Sequence, residues 1–223
     1  MTPNPNPLFN PPPKHIIWDW NGTLLDDVAA SITAVNRLLS DYNLPTLTRD
    51  AYLACFGFPM RDFYHRVGFP AEIPAEQWRS MVRIYHEIFN AGCPGIFPDV
   101  RATLERLHAA GYRQSVLSAL HHPLLTKTIA DNDLAPFFTH IRGAIDLNGN
   151  SKLDTGRALL HDLGFPPNEI LLIGDTLHDA QVGLELGVQR ALVSRGHQNA
   201  TRLAAANVPV FSNLEQLVNV ILV

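Results

Sequence analysis

Three apolar residues, Ile16-Ile17-Trp18, run straight into Asp19, and the turn signal Asn21-Gly22 follows at once with Thr23 behind it. An apolar run this short, bounded by turn residues, reads as a buried strand. Such a strand needs a sheet covered on both faces, the usual setting of parallel strands. Asp19 then stands at the strand's carboxyl end, the edge where open α/β sheets hold their ligands. Taken alone, an aspartate there need do no more than end the strand.

The rest of the chain supplies the sheet. Asp26-Asp27 can cap a helix over 28–41, with Val28, Ile32, Val35, Leu38 and Leu39 on one face, and Asn43-Leu44-Pro45 breaks it. Further helices are expected after Thr48, after the loop Gly57-Phe58-Pro59-Met60-Arg61, and from Pro74. The last carries Trp78, Met81, Val82, Tyr85, Ile88 and Phe89 at helical spacing, a stripe read as packing core rather than a ligand box. No convincing strand falls between Val28 and Gly92. Beyond Cys93-Pro94-Gly95, strands and helices alternate, with strands at 114–118, 139–142, 169–175, 189–193 and 208–211. The expected fold is α/β: a Rossmann-like parallel sheet core, residues 14–27 and 93–223, with an inserted all-helical cap domain at 28–92. The start, 1–13, is rich in Pro and Asn and reads as a loose, disordered arm.

Composition narrows the partners. With 17% charged residues and a net charge of −4, the chain offers no basic surface for nucleic acid or an anionic membrane. No apolar run is long enough to span a bilayer, and the start lacks a signal-peptide core. Cys55 and Cys93 form no spacing motif and read as reduced thiols of a cytoplasmic protein. Nothing in the sequence fixes an oligomeric state.

Chemistry-bearing residues fall where such a sheet would gather them. Asp19 ends the first strand, Ser118 the second, and Asp175 the strand Ile170-Leu171-Leu172-Ile173-Gly174, with Asp179 four residues on. Lys152 opens a later helix. Parallel strands open on one edge, so carboxylates, a hydroxyl and an ammonium can converge. Converging hard oxygens suit Mg²⁺, and a carboxylate beside a metal and a lysine can attack a phosphoryl group to give an aspartyl-phosphate.

Asp19-Trp20-Asn21-Gly22-Thr23-Leu24 followed by Leu25-Asp26, a strand ending in Ser118, Lys152, and Gly174-Asp175-Thr176-Leu177-His178-Asp179 together resemble the four motifs of the haloacid dehalogenase-like hydrolases. The pattern is most similar to the phosphoglycolate phosphatase-like branch, whose helical cap is inserted between the first and second motifs. The resemblance spans nearly everything from His15 to Val223. It implies an Mg²⁺-dependent phosphatase acting on a small phosphorylated metabolite through an aspartyl-phosphate. It further implies Asp19 as nucleophile, Thr23 supporting its loop, Ser118 binding phosphoryl oxygens, and Lys152 steadying Asp19 and the phosphate. Asp175 would ligate Mg²⁺ with Asp19 and the backbone carbonyl of Asn21. Asp179 would be a ligand or a partner behind the ligands, unless it only caps a helix. Arg61 lies in a loop that resembles the cap loop facing the active site; it either meets a second anionic group or is a surface arginine at a helix start.

One position departs from the pattern. The family's first motif usually carries a second aspartate two residues after the nucleophile, acting as general acid and base; here that position is Asn21. An amide carries no proton in either direction at neutral pH, and losing a general acid–base group costs ~10²–10⁴ in rate. A slow phosphatase, an enzyme drawing on another group, and a catalytically weak member that binds a phosphorylated ligand or partner all stay open. A phosphonoacetaldehyde hydrolase would need a cap lysine, and the chain has lysine only at Lys14, Lys127 and Lys152. A dehalogenase would have no use for Asp175 and Asp179. His178, His121 and His122 are either substitute proton donors or solvated loop histidines. If Asn21 is a missing proton carrier, Asn21→Asp raises turnover by ~10-fold or more.

Overall fold

The computed structural model describes residues 8–92, 94–145 and 152–222; residues 1–7 of the expected arm, and Cys93, lie outside the described residues. Six parallel strands form one sheet in the order β3-β2-β1-β4-β5-β6. They are β1 (His15–Trp18), β2 (Arg113–His121), β3 (His140–Ala144), β4 (Ile170–Gly174), β5 (Gln189–Val193) and β6 (Val210–Phe211). Strands β1 and β4 are buried at every position, as their unbroken apolar runs require. The strand order reverses around β1, and ligands of doubly wound sheets sit at such a switch point.

Helices α1 (Val28–Asp41), α2 (Arg49–Cys55), α3 (Met60–Arg66) and α4 (Ala75–Ala91) form the helical cap between β1 and β2. The cap has its own core, in which Leu38 and Leu39 of α1 meet Tyr52, Phe63 and Trp78. Thr48 caps α2, its hydroxyl accepting from Ala51 N at 3.2 Å. Asp27 stands at the N-cap of α1 but makes no capping bond, because its carboxylate is turned the other way, toward the sheet edge. The two connections to the sheet lie side by side: Phe97 N–H donates to Leu24 O at 3.0 Å and Asp26 N–H to Gly95 O at 2.8 Å.

The remaining helices, α5 (Val100–Ala109), α6 (His122–Asp131), α7 (Lys152–Leu163), α8 (Leu177–Glu185), α9 (Ala200–Leu203) and α10 (Leu214–Ile221), cover the sheet. Gly164, at φ +67°, stops α7 with a backbone that favours glycine. Strand β2 runs beyond the expected 114–118 because β1 and β3 both pair with it. Edge strand β6 is shorter than expected, since it has only β5 to pair with.

The loose-arm expectation is corrected over residues 8–13. Phe9 is 5% exposed and belongs to the cluster that holds Leu171 and Ile173 of β4. Gln189 Nε2 donates to Pro11 O at 2.7 Å. A Pro- and Asn-rich composition does not show where one buried aromatic will anchor it. Phe9→Ala should therefore cost about 3 kcal/mol in a urea titration, the scale of a buried Phe truncation; a loose arm would leave the midpoint unchanged.

Candidate active site

The carboxyl ends of β1 and β4 lie side by side, Trp18 opposite Ile173, with Asp19 N–H donating to Ile173 O at 2.8 Å. Asp19 and Asp175, the next residues out of these strands, therefore emerge at one edge. Lys152, first residue of α7, reaches in from behind, with Nζ 2.5 Å from both Asp19 Oδ1 and Asp179 Oδ1. All three side chains are buried. Asp179 also closes a capping box on α8, its Oδ2 accepting from Thr176 N at 3.0 Å and Thr176 Oγ1 at 2.6 Å. It is thus both a helix cap and a carboxylate of the cluster. Among the described residues, no donor is bonded to Asp19 Oδ2, which leaves that oxygen free to react.

Asp175 is held on both oxygens. Thr23 Oγ1 donates to Oδ1 at 3.2 Å, and His197 N–H donates to Oδ2 at 2.6 Å. The chain must pass close for this to happen. Gly22 has φ +73°, and a side chain there would meet the Asp175 carboxylate and the His197 ring. Ser118 is buried within β2, three residues before the strand's last, its Oγ accepting from Leu120 N at 3.1 Å.

The structure adds two residues that the sequence reading missed. Asp27, expected as a helix cap, points its carboxylate into the site. Its Oδ1 accepts from Gly22 N at 2.7 Å, and its Oδ2 accepts from Asn21 Nδ2 at 2.8 Å. His197 lies 3.2 Å from Asp27 Oδ1 through Nε2, and 2.9 Å from the Tyr52 hydroxyl of the cap through Nδ1. It sits four residues past β5, so the strand-end rule that found Asp175 could have flagged it.

A cavity of about 160 Å³ opens above the cluster, between sheet edge and cap. Asp19, Asn21, Asp27, Ser118, Lys152, Asp175, Asp179 and His197 line its floor, and His121 also reaches it. Three expectations fare differently. Arg61 does not reach it: its Nη1 donates to Ile73 O at 3.1 Å and its guanidinium lies 4.6 Å from the Trp78 ring centre. The α4 stripe is both core and wall, because Trp78 and Met81 pack in the cap while also facing the cavity. Of the other two histidines, His178 stacks on Phe58 with ring centres 4.6 Å apart, and His122 accepts from Gly143 N at 3.3 Å.

The electrostatics follow from crowding buried carboxylates. Burial, partly opposed by Lys152 and reinforced by Asp179 and Asp175, pushes Asp19 up to about 8. Burial pushes Asp175 up to about 7. Burial opposes ionisation of Asp179 as well, but Lys152 outweighs it and holds this carboxyl below its usual range. Burial would lower His197, yet the Asp27 carboxylate overrides it and raises the imidazole to about 9. Asp19, Asp175 and Asp179 each offer an oxygen within 4.8 Å of the others. Asp19, Asp175 and Asp179, with Asp27 beside them, outnumber the cationic groups Lys152 and His197 that face them. The donors are hard oxygens gathered within 4.8 Å with carboxylates in excess, so the residues present fit Mg²⁺.

The family model described as haloacid dehalogenase-like hydrolase matches residues 16–193. The chain is 31% identical over 191 residues to a phosphoglycolate phosphatase of Caulobacter vibrioides, covering 82% of this chain and 79% of that one. It is 23% identical to a phosphoglycolate phosphatase of Salmonella paratyphi A, covering 88% and 87%. Among solved structures it superposes with a TM-score of 0.80 on a predicted phosphatase from Clostridium acetobutylicum, at 20% identity, covering 94% and 98%. No helix among the described residues is long and apolar enough to cross a membrane.

The proton inventory gives a signed expectation. Asp19 and Asp175 have pKa values above the ordinary 3.8, so between about pH 4 and pH 8 the folded chain holds protons that the unfolded chain has released. Without metal, stability should fall as pH rises through that window. His197, raised above 6.5, adds a loss of the same sign as pH passes about 9. In EDTA the melting temperature should be lower at about pH 8.5 than at about pH 6, and Mg²⁺ should raise it more at the higher pH. A melting temperature equally responsive to Mg²⁺ at both values would count against the cluster as the metal site.

Proposed function

The chain belongs to the haloacid dehalogenase-like hydrolases and is an enzyme of the phosphate-monoester-hydrolysing kind; from that premise we propose an Mg²⁺-dependent phosphatase of a small cytoplasmic metabolite that works through an aspartyl-phosphate on Asp19. The observation that carries this reading is the Lys152 ammonium set between Asp19 and Asp179, with Asp175 in the same buried cluster. Asp19, Asp175 and the carbonyl of Asn21 would hold the metal, with Asp179 fixed beside them. Mg²⁺ bound there would offset the carboxylate surplus and the charge of the transferring phosphoryl group.

Asp19 Oδ2 attacks phosphorus and the bond to the ester oxygen breaks. The Ser118 hydroxyl and the Lys152 ammonium take up charge on the phosphoryl oxygens. The departing oxygen needs a proton, and the water that later attacks phosphorus must lose one. Asn21 can do neither. Its amide instead positions Asp27, whose carboxylate lines the same cavity. We assign the proton transfers to the Asp27–His197 pair: the proton held across that bond passes through Asp27 to the leaving oxygen, and the pair regains a proton from the attacking water. Phosphate leaves and Asp19 is regenerated. The carboxylate that the family usually carries at Asn21 is, on this reading, supplied from Asp27.

This geometry changes what Asn21→Asp should do. A carboxylate there would stand about 2.8 Å from Asp27 Oδ2, and two such groups cannot both ionise. Asn21→Asp should therefore bring no gain. Asp27→Asn should lower kcat on an alkyl phosphate by ~10²-fold or more, and less where a good leaving group needs no proton in the first step. The swapped double variant, Asn21→Asp with Asp27→Asn, should recover at least ~10-fold of that loss. Steady-state kinetics on alkyl and aryl phosphates decide it: a faster Asn21→Asp enzyme, or an unaffected Asp27→Asn enzyme, would return the proton-carrying role to another group.

A further inference from the structure

We propose that the substrate taken by this cavity is the phosphate monoester of an apolar, uncharged alcohol or phenol about the size of one benzene ring, and not a monoester carrying a second anion. The inference rests on the phosphatase reading and goes past it to the group that the cap selects.

The floor and wall of the cavity differ sharply. Carboxylates, Ser118 and Lys152 sit below, where a phosphoryl group would react. Above them stand Phe56, Phe58, Tyr64, Trp78, Met81 and Phe89. The whole cavity measures about 160 Å³ and a cavity of roughly 150 Å³ suffices for benzene alone, so with the phosphoryl group on the floor the body can be no larger than one ring. Walls of stacked and edge-on aromatic rings, such as Phe56 against Phe58 with centres 5.8 Å apart, give a flat or branched apolar body extensive contact.

A second anion would find no free counter-charge: the His197 imidazolium on the floor is already paired with Asp27. Among the described residues, no arginine lines the cavity, and Lys152, the one lysine there, is bonded to Asp19 and Asp179. The arginines that could have served are engaged elsewhere. Arg61 is bonded to Ile73 O, Arg66 to Cys55 O, and Arg202 to Leu53 O and Phe56 O. Arg195 pairs with Asp99. On α4, Arg79 and Arg83 are on the exposed face. His86 lines the wall, but burial, followed by the charge of neighbouring His121, lowers its pKa and leaves it uncharged at neutral pH. A carboxylate on the substrate would therefore be buried unpaired, close to a floor already rich in carboxylates.

Binding and turnover separate the two claims. With Mg²⁺ present, calorimetry should show benzylphosphonate binding at least about 10-fold more tightly than phosphonoacetate, whose methylene carries a carboxylate instead of a ring. In kinetics, kcat/KM for benzyl phosphate should exceed that for 2-phosphoglycolate by about 100-fold, within the roughly 10–200-fold range of apolar-pocket discrimination. Val82 is half-buried and lines the wall, so Val82→Arg should fold while supplying the missing cation. It should move the benzylphosphonate-to-phosphonoacetate ratio toward the carboxylate by about 10-fold or more. Equal or tighter binding of phosphonoacetate by the native chain, or a ratio indifferent to Val82→Arg, overturns the substrate class. Acetyl phosphate, which carries almost no body to be selected, reads the chemistry alone: if it is not hydrolysed, the phosphatase reading falls, and the substrate claim falls with it.

Discussion

One buried ammonium organises the sheet edge. Lys152 bonds Asp19 and Asp179 at 2.5 Å each, tying the end of β1 to the starts of α7 and α8. A buried ion pair of this kind is poor evidence for stability, because desolvating the charges offsets most of their attraction. A third buried carboxylate, Asp175, beside the pair is worse still: burial first, and neighbouring carboxylates after it, raise Asp19 and Asp175. The arrangement makes physical sense as a place prepared for positive charge and for a phosphoryl group. The cost is borne locally: hydrogen bonds from Thr23, Thr176 and the His197 backbone satisfy both oxygens of Asp175 and Oδ2 of Asp179.

The cap is tied to the same cluster rather than merely resting on it. His197 joins Asp27 on one side and Tyr52 on the other, so one imidazole touches both the floor of the cavity and helix α2. Next to it, Gln198 and Arg202 donate to Phe56 O, at 3.0 and 2.6 Å. These bonds set Phe56 into the cavity wall while the loop after β5 holds Asp175. Selection of the substrate body and positioning of the reacting groups thus share one short loop.

Much of this was legible in the sequence, for identifiable reasons. Asn43-Leu44-Pro45 and Gly164 stop helices through backbone chemistry that needs no tertiary context, and α1 and α7 end where those residues demand. Asp19, Ser118 and Asp175 could be brought together on paper because parallel strands share a carboxyl edge. Their individual roles came from the family resemblance and not from spacing. What escaped was side-chain direction. Asp27 and a capping aspartate look alike in sequence, and only the tight turn at Gly22 shows that this carboxylate faces inward. Arg61 sits in the expected loop, yet a carbonyl and the Trp78 ring hold it away from the cavity. Phe9 was hidden by the polar, proline-rich residues around it.

The central claim is that Asp19 is phosphorylated while Asp27 carries the protons. If Asp27 is needed to clear the intermediate, the Asp27→Asn protein should hold it longest. Acid-quenching that variant during turnover of an aryl phosphate, followed by peptide mass spectrometry, tests this directly. The account predicts one phosphoryl group on the peptide containing Asp19, present in higher amount than in the unaltered protein. A phosphoryl group on another residue, or a full first turnover of phenol release with none on Asp19, would contradict it.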